Sequence, residues 1–160
     1  MAYTLNIDEI LEVAVRIEQN GAEFYDHAAS KSKSAECIKV FSTLGRQEKR
    51  HASLFAKWLK NASIERDYTE PDEDVSLYIK TFAENHIFSK KGTGEFKIDH
   101  LKSQKGILEF ARSIETASIT LYHELKVVMP KSASSVMDKI INEERSHYLL
   151  ITRLLKLLKA

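Results

Sequence analysis

Two short stretches hold the residues best suited to chemistry. Gln47-Glu48-Lys49-Arg50-His51 and Glu143-Glu144-Arg145-Ser146-His147 each contain Glu-x-x-His. Residues three apart on a helix share a face, so each pair aims one carboxylate and one imidazole the same way. One such pair is common on solvated helix faces. Two pairs become specific when two further helices each add an inward glutamate, and Glu18 and Glu115 fill that role.

The four positions belong to an internal repeat. A shift of 97 residues (115 − 18) superposes Glu18 on Glu115, Ala14 on Ala111, Ile17 on Ile114 and Tyr25 on Tyr122. A shift of 96 (144 − 48) superposes Glu48 on Glu144, His51 on His147 and Val40 on Val136. Each half of the chain therefore reads as a helical hairpin carrying one Glu and one Glu-x-x-His.

Four buried carboxylates do not stay ionised unaided, because desolvation and mutual repulsion protonate some of them. Two divalent cations balance them in charge. Four Glu and two His on four helices is the ligand set of di-iron and di-manganese bundle proteins. The spacing thus predicts metal ligands at Glu18, Glu48, His51, Glu115, Glu144 and His147, holding two metals about 3.5–4 Å apart. Oxygen-rich ligation with one imidazole per metal and no thiolate suits Fe or Mn; Zn would be an adventitious, redox-inert occupant. By analogy with that ligand class, Glu48 and Glu144 bridge, while Glu18 and Glu115 each cap one metal.

Four long helices must position these groups. The first spans Ile7 to Ser30, with Asn6 as N-cap and Glu9 as its capping-box partner. Its inward stripe is Ile7, Leu11, Ala14, Glu18, Ala22, Tyr25 and Ala29. Gly21, one turn past Glu18, marks close packing or room beside that carboxylate. The second helix spans Ser34 to Lys60, with stripe Cys37, Phe41, Leu44, Glu48, His51, Phe55 and Trp58. Cys37 reads as a small buried hydrophobe rather than a nucleophile. The third spans Gln104 to Val128, with stripe Leu108, Ala111, Glu115, Ser118, Tyr122 and Leu125. The fourth spans Ser132 to Lys159, with stripe Met137, Ile140, Glu144, His147, Ile151, Leu154 and Leu158.

The short turn at 31–33 makes the first two helices antiparallel neighbours. Residues 61–103 form the long crossover joining the hairpins, with a short amphipathic helix from Pro71-Asp72 to near Phe88 and a turn at 89–95. His86 and His100 lie in this crossover without a Glu three residues before them, so neither is expected to be a ligand.

The expected fold is all-α: an antiparallel four-helix bundle of two pseudo-symmetric hairpins, in a single domain over residues 1–160. Hairpin one covers 6–60, the crossover 61–103 and hairpin two 104–159. Five Gly and two Pro in 160 residues favour long helices. A formal charge of +1 gives no general attraction to nucleic acid or anionic membrane. One cysteine precludes an internal disulfide framework or a Cys-x-x-Cys metal site. The first residues show no basic segment followed by an apolar run, and no stretch is long and apolar enough to span a bilayer, so a cytoplasmic setting is expected. The long crossover would also permit a homodimer with swapped hairpins.

Glu18-x-x-Gly21-x-x-Phe24-Tyr25, Glu48-x-x-His51, Glu115 with Tyr122 on the same face, and Glu144-x-x-His147 together resemble the rubrerythrin branch of the ferritin-like superfamily. The resemblance covers both hairpins but not the crossover. It implies a ferritin-like bundle with a di-iron centre that reacts with hydrogen peroxide or dioxygen. It also implies an oxidoreductase serving oxidative-stress defence or iron oxidation, with iron storage as the alternative. Tyr25 and Tyr122 are expected to pack in the core with their hydroxyls on ligand carboxylates.

The chain departs from the family pattern in two ways. A rubredoxin domain needs four cysteines, so electrons must come from an external donor such as a rubredoxin-type protein. Rubrerythrins carry an extra glutamate one turn after the third-helix ligand, where this chain has Ser118. The resulting six-ligand site is closer to the ferroxidase centre of bacterioferritin. The haem methionine of bacterioferritin follows the second-helix Glu; Lys49 stands there, so no haem is expected.

Overall fold

The computed structural model describes residues 6–62, 71–90 and 101–158. Five α-helices run through them: α1 (Ile7–Lys31), α2 (Ala35–Ala62), α3 (Glu73–Asn85), α4 (Gln104–Val128) and α5 (Ser134–Leu157). The fold is all-helical. α1 packs along α2 and α4 along α5, and α3 lies across α1 and α4.

The helix boundaries follow from local chemistry. Asn6 Oδ1 accepts from the Asp8 N–H at 3.1 Å and starts α1. Glu9, expected to reach back to Asn6, lies 3.5 Å from Lys80 of α3. The Asp72 side chain accepts from the Val75 N–H and starts α3; the Ser103 hydroxyl does the same for Gly106 in α4. Pro130 keeps α4 and α5 apart, and Lys131–Ala133 form a 3₁₀ turn before α5 begins. The fourth helix therefore starts two residues later than periodicity indicates. It ends at Leu157; Leu158, placed in the inward stripe by the sequence, is exposed. Lys159, His100 and most of the turn at 89–95 lie outside the described residues.

The short crossover helix also stops before Phe88. Asn85 is its last residue, because His86 turns out of the helix at φ −59°, ψ 134° and its ring Nδ1 accepts the Phe88 N–H at 3.2 Å. A side chain that offers the backbone a local partner competes with the helix in this way.

The inward stripes form one core. Tyr25, Tyr122, Phe24, Phe41, Phe55 and Phe88 are the largest fully buried side chains, and Cys37 is buried among the hydrophobes. Phe88 pins the crossover to the bundle, with ring centroids 5.7 Å from Phe24 and 6.2 Å from Phe110. Burying such a ring contributes about 1.5–3 kcal/mol. None of the helices among the described residues is long and apolar enough to cross a membrane.

Candidate metal centre

Glu18 comes from α1, Glu48 and His51 from α2, Glu115 from α4, and Glu144 and His147 from α5. All six are buried, none more than 5 % exposed. The structure brings them together at mid-bundle in two overlapping groups: Glu18, Glu48, His51 and Glu144, and Glu48, Glu115, Glu144 and His147. Within each group the donor atoms lie within 4.8 Å of one another. Glu48 and Glu144 belong to both groups, while Glu18 and Glu115 belong to one each. The two imidazoles lie nearly parallel, with centroids 6.0 Å apart.

The inward atoms face one another without hydrogen bonding well. His51 Nδ1 is 2.8 Å from Glu144 Oε1 and 3.3 Å from Glu18 Oε2. His147 Nδ1 is 3.1 Å from Glu48 Oε1 and 3.3 Å from Glu144 Oε2. Yet Glu18 Oε2, Glu48 Oε1, His51 Nδ1, Glu144 Oε1 and His147 Nδ1 have no aligned hydrogen-bond partner. Five orphaned donor atoms in one buried layer are costly unless something compensates them. Oxygen and nitrogen lone pairs aimed at common points are what divalent cations require, so the donor set fits a pair of them.

The electrostatics agree. Burial, then the charge of Glu48, pushes the Glu18 carboxyl well above the usual carboxylate range. Burial does the same to Glu115, against the opposing pull of the neighbouring His147 imidazole. Burial would lower His51, but the carboxylates of Glu144 and Glu18 override it and push the ring up to about 12. His147 is raised for the same reason by Glu115, Glu144 and Glu48 against burial. Glu144 lies between both rings; burial opposes its ionisation, but the adjacent imidazoles of His147 and His51 pull it below the carboxylate range. Without a cation, protons hold the cluster together.

Each imidazole is braced from behind. His51 Nε2 is 2.6 Å from Glu143 Oε2, and Arg50 pairs with the same carboxylate. His147 Nε2 is 3.1 Å from Gln47 Oε1. Both outer partners accept, so Nε2 carries the ring hydrogen and Nδ1 turns inward. Sequence reasoning missed Gln47 and Glu143. The signal was present, because the shift of 96 that superposes the two Glu-x-x-His motifs also superposes Gln47 on Glu143.

The tyrosines cross between hairpins. The Tyr25 hydroxyl donates to Glu115 Oε1 and the Tyr122 hydroxyl to Glu18 Oε1. Glu18 and Glu115 are thus each held by the tyrosine of the opposite hairpin. Burial, then the Glu115 charge, pushes the Tyr25 phenol well up, so it remains a donor.

Gly21 faces Glu48 rather than Glu18: a Cβ there would lie 3.5 Å from Glu48 Oε2, an ordinary contact. Gly21→Ala is therefore expected to stabilise the metal-free protein by about 1 kcal/mol through helix propensity. Urea unfolding of the two proteins measures this.

A solved structure described as a ferritin-like diiron-carboxylate protein of Thermotoga maritima superposes with a TM-score of 0.70 and 24 % identity, covering 98 % of both chains. That likeness is one of fold. Among curated proteins no significant match exists. The rubrerythrin family model matches residues 9–155, which include most of both hairpins and all six residues of the cluster. The chain belongs to the rubrerythrin family.

Proposed function

We propose that the protein is a di-iron carboxylate oxidoreductase that reacts with hydrogen peroxide or dioxygen. One observation carries this reading: two overlapping donor groups share Glu48 and Glu144, with orphaned atoms aimed inward from α1, α2 and α5. Glu18, Glu48, His51 and Glu144 would hold one iron; Glu48, Glu115, Glu144 and His147 would hold the other. A bound Fe(II) pair would supply two electrons, which with two protons reduce hydrogen peroxide to two waters.

The chain's own residues set the stage for that reaction. Glu143 and Gln47 fix the imidazole tautomers, and Tyr25 and Tyr122 hold the capping carboxylates in place. The apolar core keeps water from the layer. Re-reduction falls to an external donor of the rubredoxin type. A homodimer is the expected assembly, although all six residues of the centre come from one chain here.

Ser118 favours a second reading. Its hydroxyl meets His86 at 3.4 Å and stands outside the six-residue cluster, so the site keeps the symmetric ligand count of a ferroxidase centre. Iron oxidation for storage would then be the role.

Rapid mixing separates the two. Protein loaded anaerobically with two Fe(II) per chain is expected to oxidise faster with hydrogen peroxide than with air-saturated buffer, as followed by ferric absorbance. Faster oxidation by dioxygen, with continued iron uptake beyond two per chain, would replace this reading with ferroxidase or storage.

A further inference from the structure

His86 is buried but stands outside the six-residue cluster. Its ring is oriented by the backbone. The Phe88 N–H donates to Nδ1, so in the neutral ring the hydrogen is on Nε2, which lies 3.4 Å from Ser118 Oγ. Burial pushes the ring's pKa down to about 4, against the opposing charge of Glu144, so the ring is neutral near pH 7. Ser118 lies one turn beyond Glu115 on the same face of α4. One edge of His86 therefore meets the layer that bears the ligands.

The other side of the ring opens outward. With Phe82, Ile87, Ser113, Ile114 and Ala117, His86 lines a cavity of about 300 Å³. Ile87 and Ser113 are exposed, so the cavity reaches solvent, while buried Ile114 adjoins Glu115. Its walls are mostly apolar, and the imidazole stands at the inner end.

The backbone behind His86 is tied down. Buried Asn20 donates to Phe88 O and to Lys90 O, both at 2.7 Å. Arg16 Nε donates to Ser89 O at 2.9 Å. With the turn anchored to α1, rotation of the His86 side chain is the least costly way to open a path.

We propose that His86 stoppers an access route from this cavity to the metal layer, selecting small neutral or weakly acidic molecules and offering them its Nε2–H. Large or strongly charged species are excluded by the apolar walls and the buried ring behind them. The inference rests on the di-iron reading above, and it assigns to His86 a role in admission and positioning rather than ligation.

Azide binding to the diferric protein, followed by stopped-flow absorbance, tests the route, with iron content measured first. His86→Ala is expected to speed azide association about tenfold, and Ala117→Phe, which fills the cavity from α4 and leaves the residues of the His86 turn unchanged, to slow it by about as much. Ala56→Phe, in a separate groove between α1 and α2 lined also by Gln19 and Lys49, is the control and should leave the rate unchanged. Should His86→Ala lose iron, Ala117→Phe alone decides. Equal rates in Ala117→Phe and the parent, each holding two irons, would overturn the route while leaving the di-iron reading intact. A slower rate in Ala56→Phe alone would place the route in the other groove. A parent that holds no iron pair would overturn both.

Discussion

Glu144→Gln is expected to destabilise the metal-free protein by about 3–5 kcal/mol, as removal of one partner from a buried ionic cluster does. Glu144 is held ionised, set 2.8 Å from the ring nitrogen of His51 and 3.3 Å from that of His147. Its loss strands two buried imidazoles that the surrounding acids hold protonated. Glu18→Gln makes the contrast. Glu18 is already driven toward its neutral form by burial and by Glu48, and a glutamine keeps its shape and an acceptor for Tyr122. That variant is expected to lose less than about 1 kcal/mol, typical of a change that leaves hydrogen bonding intact. Both variants are expected to lose metal. Urea unfolding of the metal-free proteins separates them; equal losses would mean that the charge distribution within the cluster is not the one described.

The second large effect is a pair of opposed pH trends. His51 and His147 have folded pKa values above the unfolded imidazole value. Their protons therefore stabilise the fold fully below about pH 6.5, and that stabilisation is lost as pH rises through the folded values. Glu18 and Glu115, also raised, act with the same sign. Between pH 7 and 9 the metal-free protein should lose up to about 1.4 kcal/mol per pH unit for each imidazole, because the unfolded chain binds fewer protons there. Metal binding has the opposite sign. A cation must displace those protons, so affinity rises with pH, about tenfold per unit for each proton released. Co(II) titration calorimetry in two buffers of different ionisation enthalpy counts the protons. Zero net release would contradict the protonated cluster.

The buried layer of glutamates was legible because a helix has a fixed period. Glu18, Glu48, Glu115 and Glu144 each interrupt an apolar stripe at matching depth, and periodicity alone turns them to one side. The histidines followed from their spacing. What periodicity leaves open is how one helix meets another. Tyr25 and Tyr122 were placed on the correct faces, but their crossing to Glu115 and Glu18 depends on the rotation of one hairpin against the other. Within the first hairpin, the packing of α1 on α2 decides that Gly21 meets Glu48 of α2 rather than the Glu18 of its own helix. Gln47 and Glu143 each lie beside a glutamate of the cluster in sequence, yet each braces the histidine of the facing helix. The crossover was least legible. The amphipathic pattern from Val75 to Ile87 continues past Asn85, and only the bond between the His86 ring and the Phe88 N–H shows why the helix stops.

The most direct test of the account is anaerobic titration of the metal-free chain with Fe(II), read by bound-metal analysis, for the parent and for Glu144→Ala and His147→Ala. The account predicts saturation at two irons per parent chain. It predicts that neither variant retains the tight pair, because Glu144 serves both donor groups and His147 is the imidazole of one. A parent that binds no stoichiometric iron, or variants that bind two irons as tightly as the parent, would contradict it.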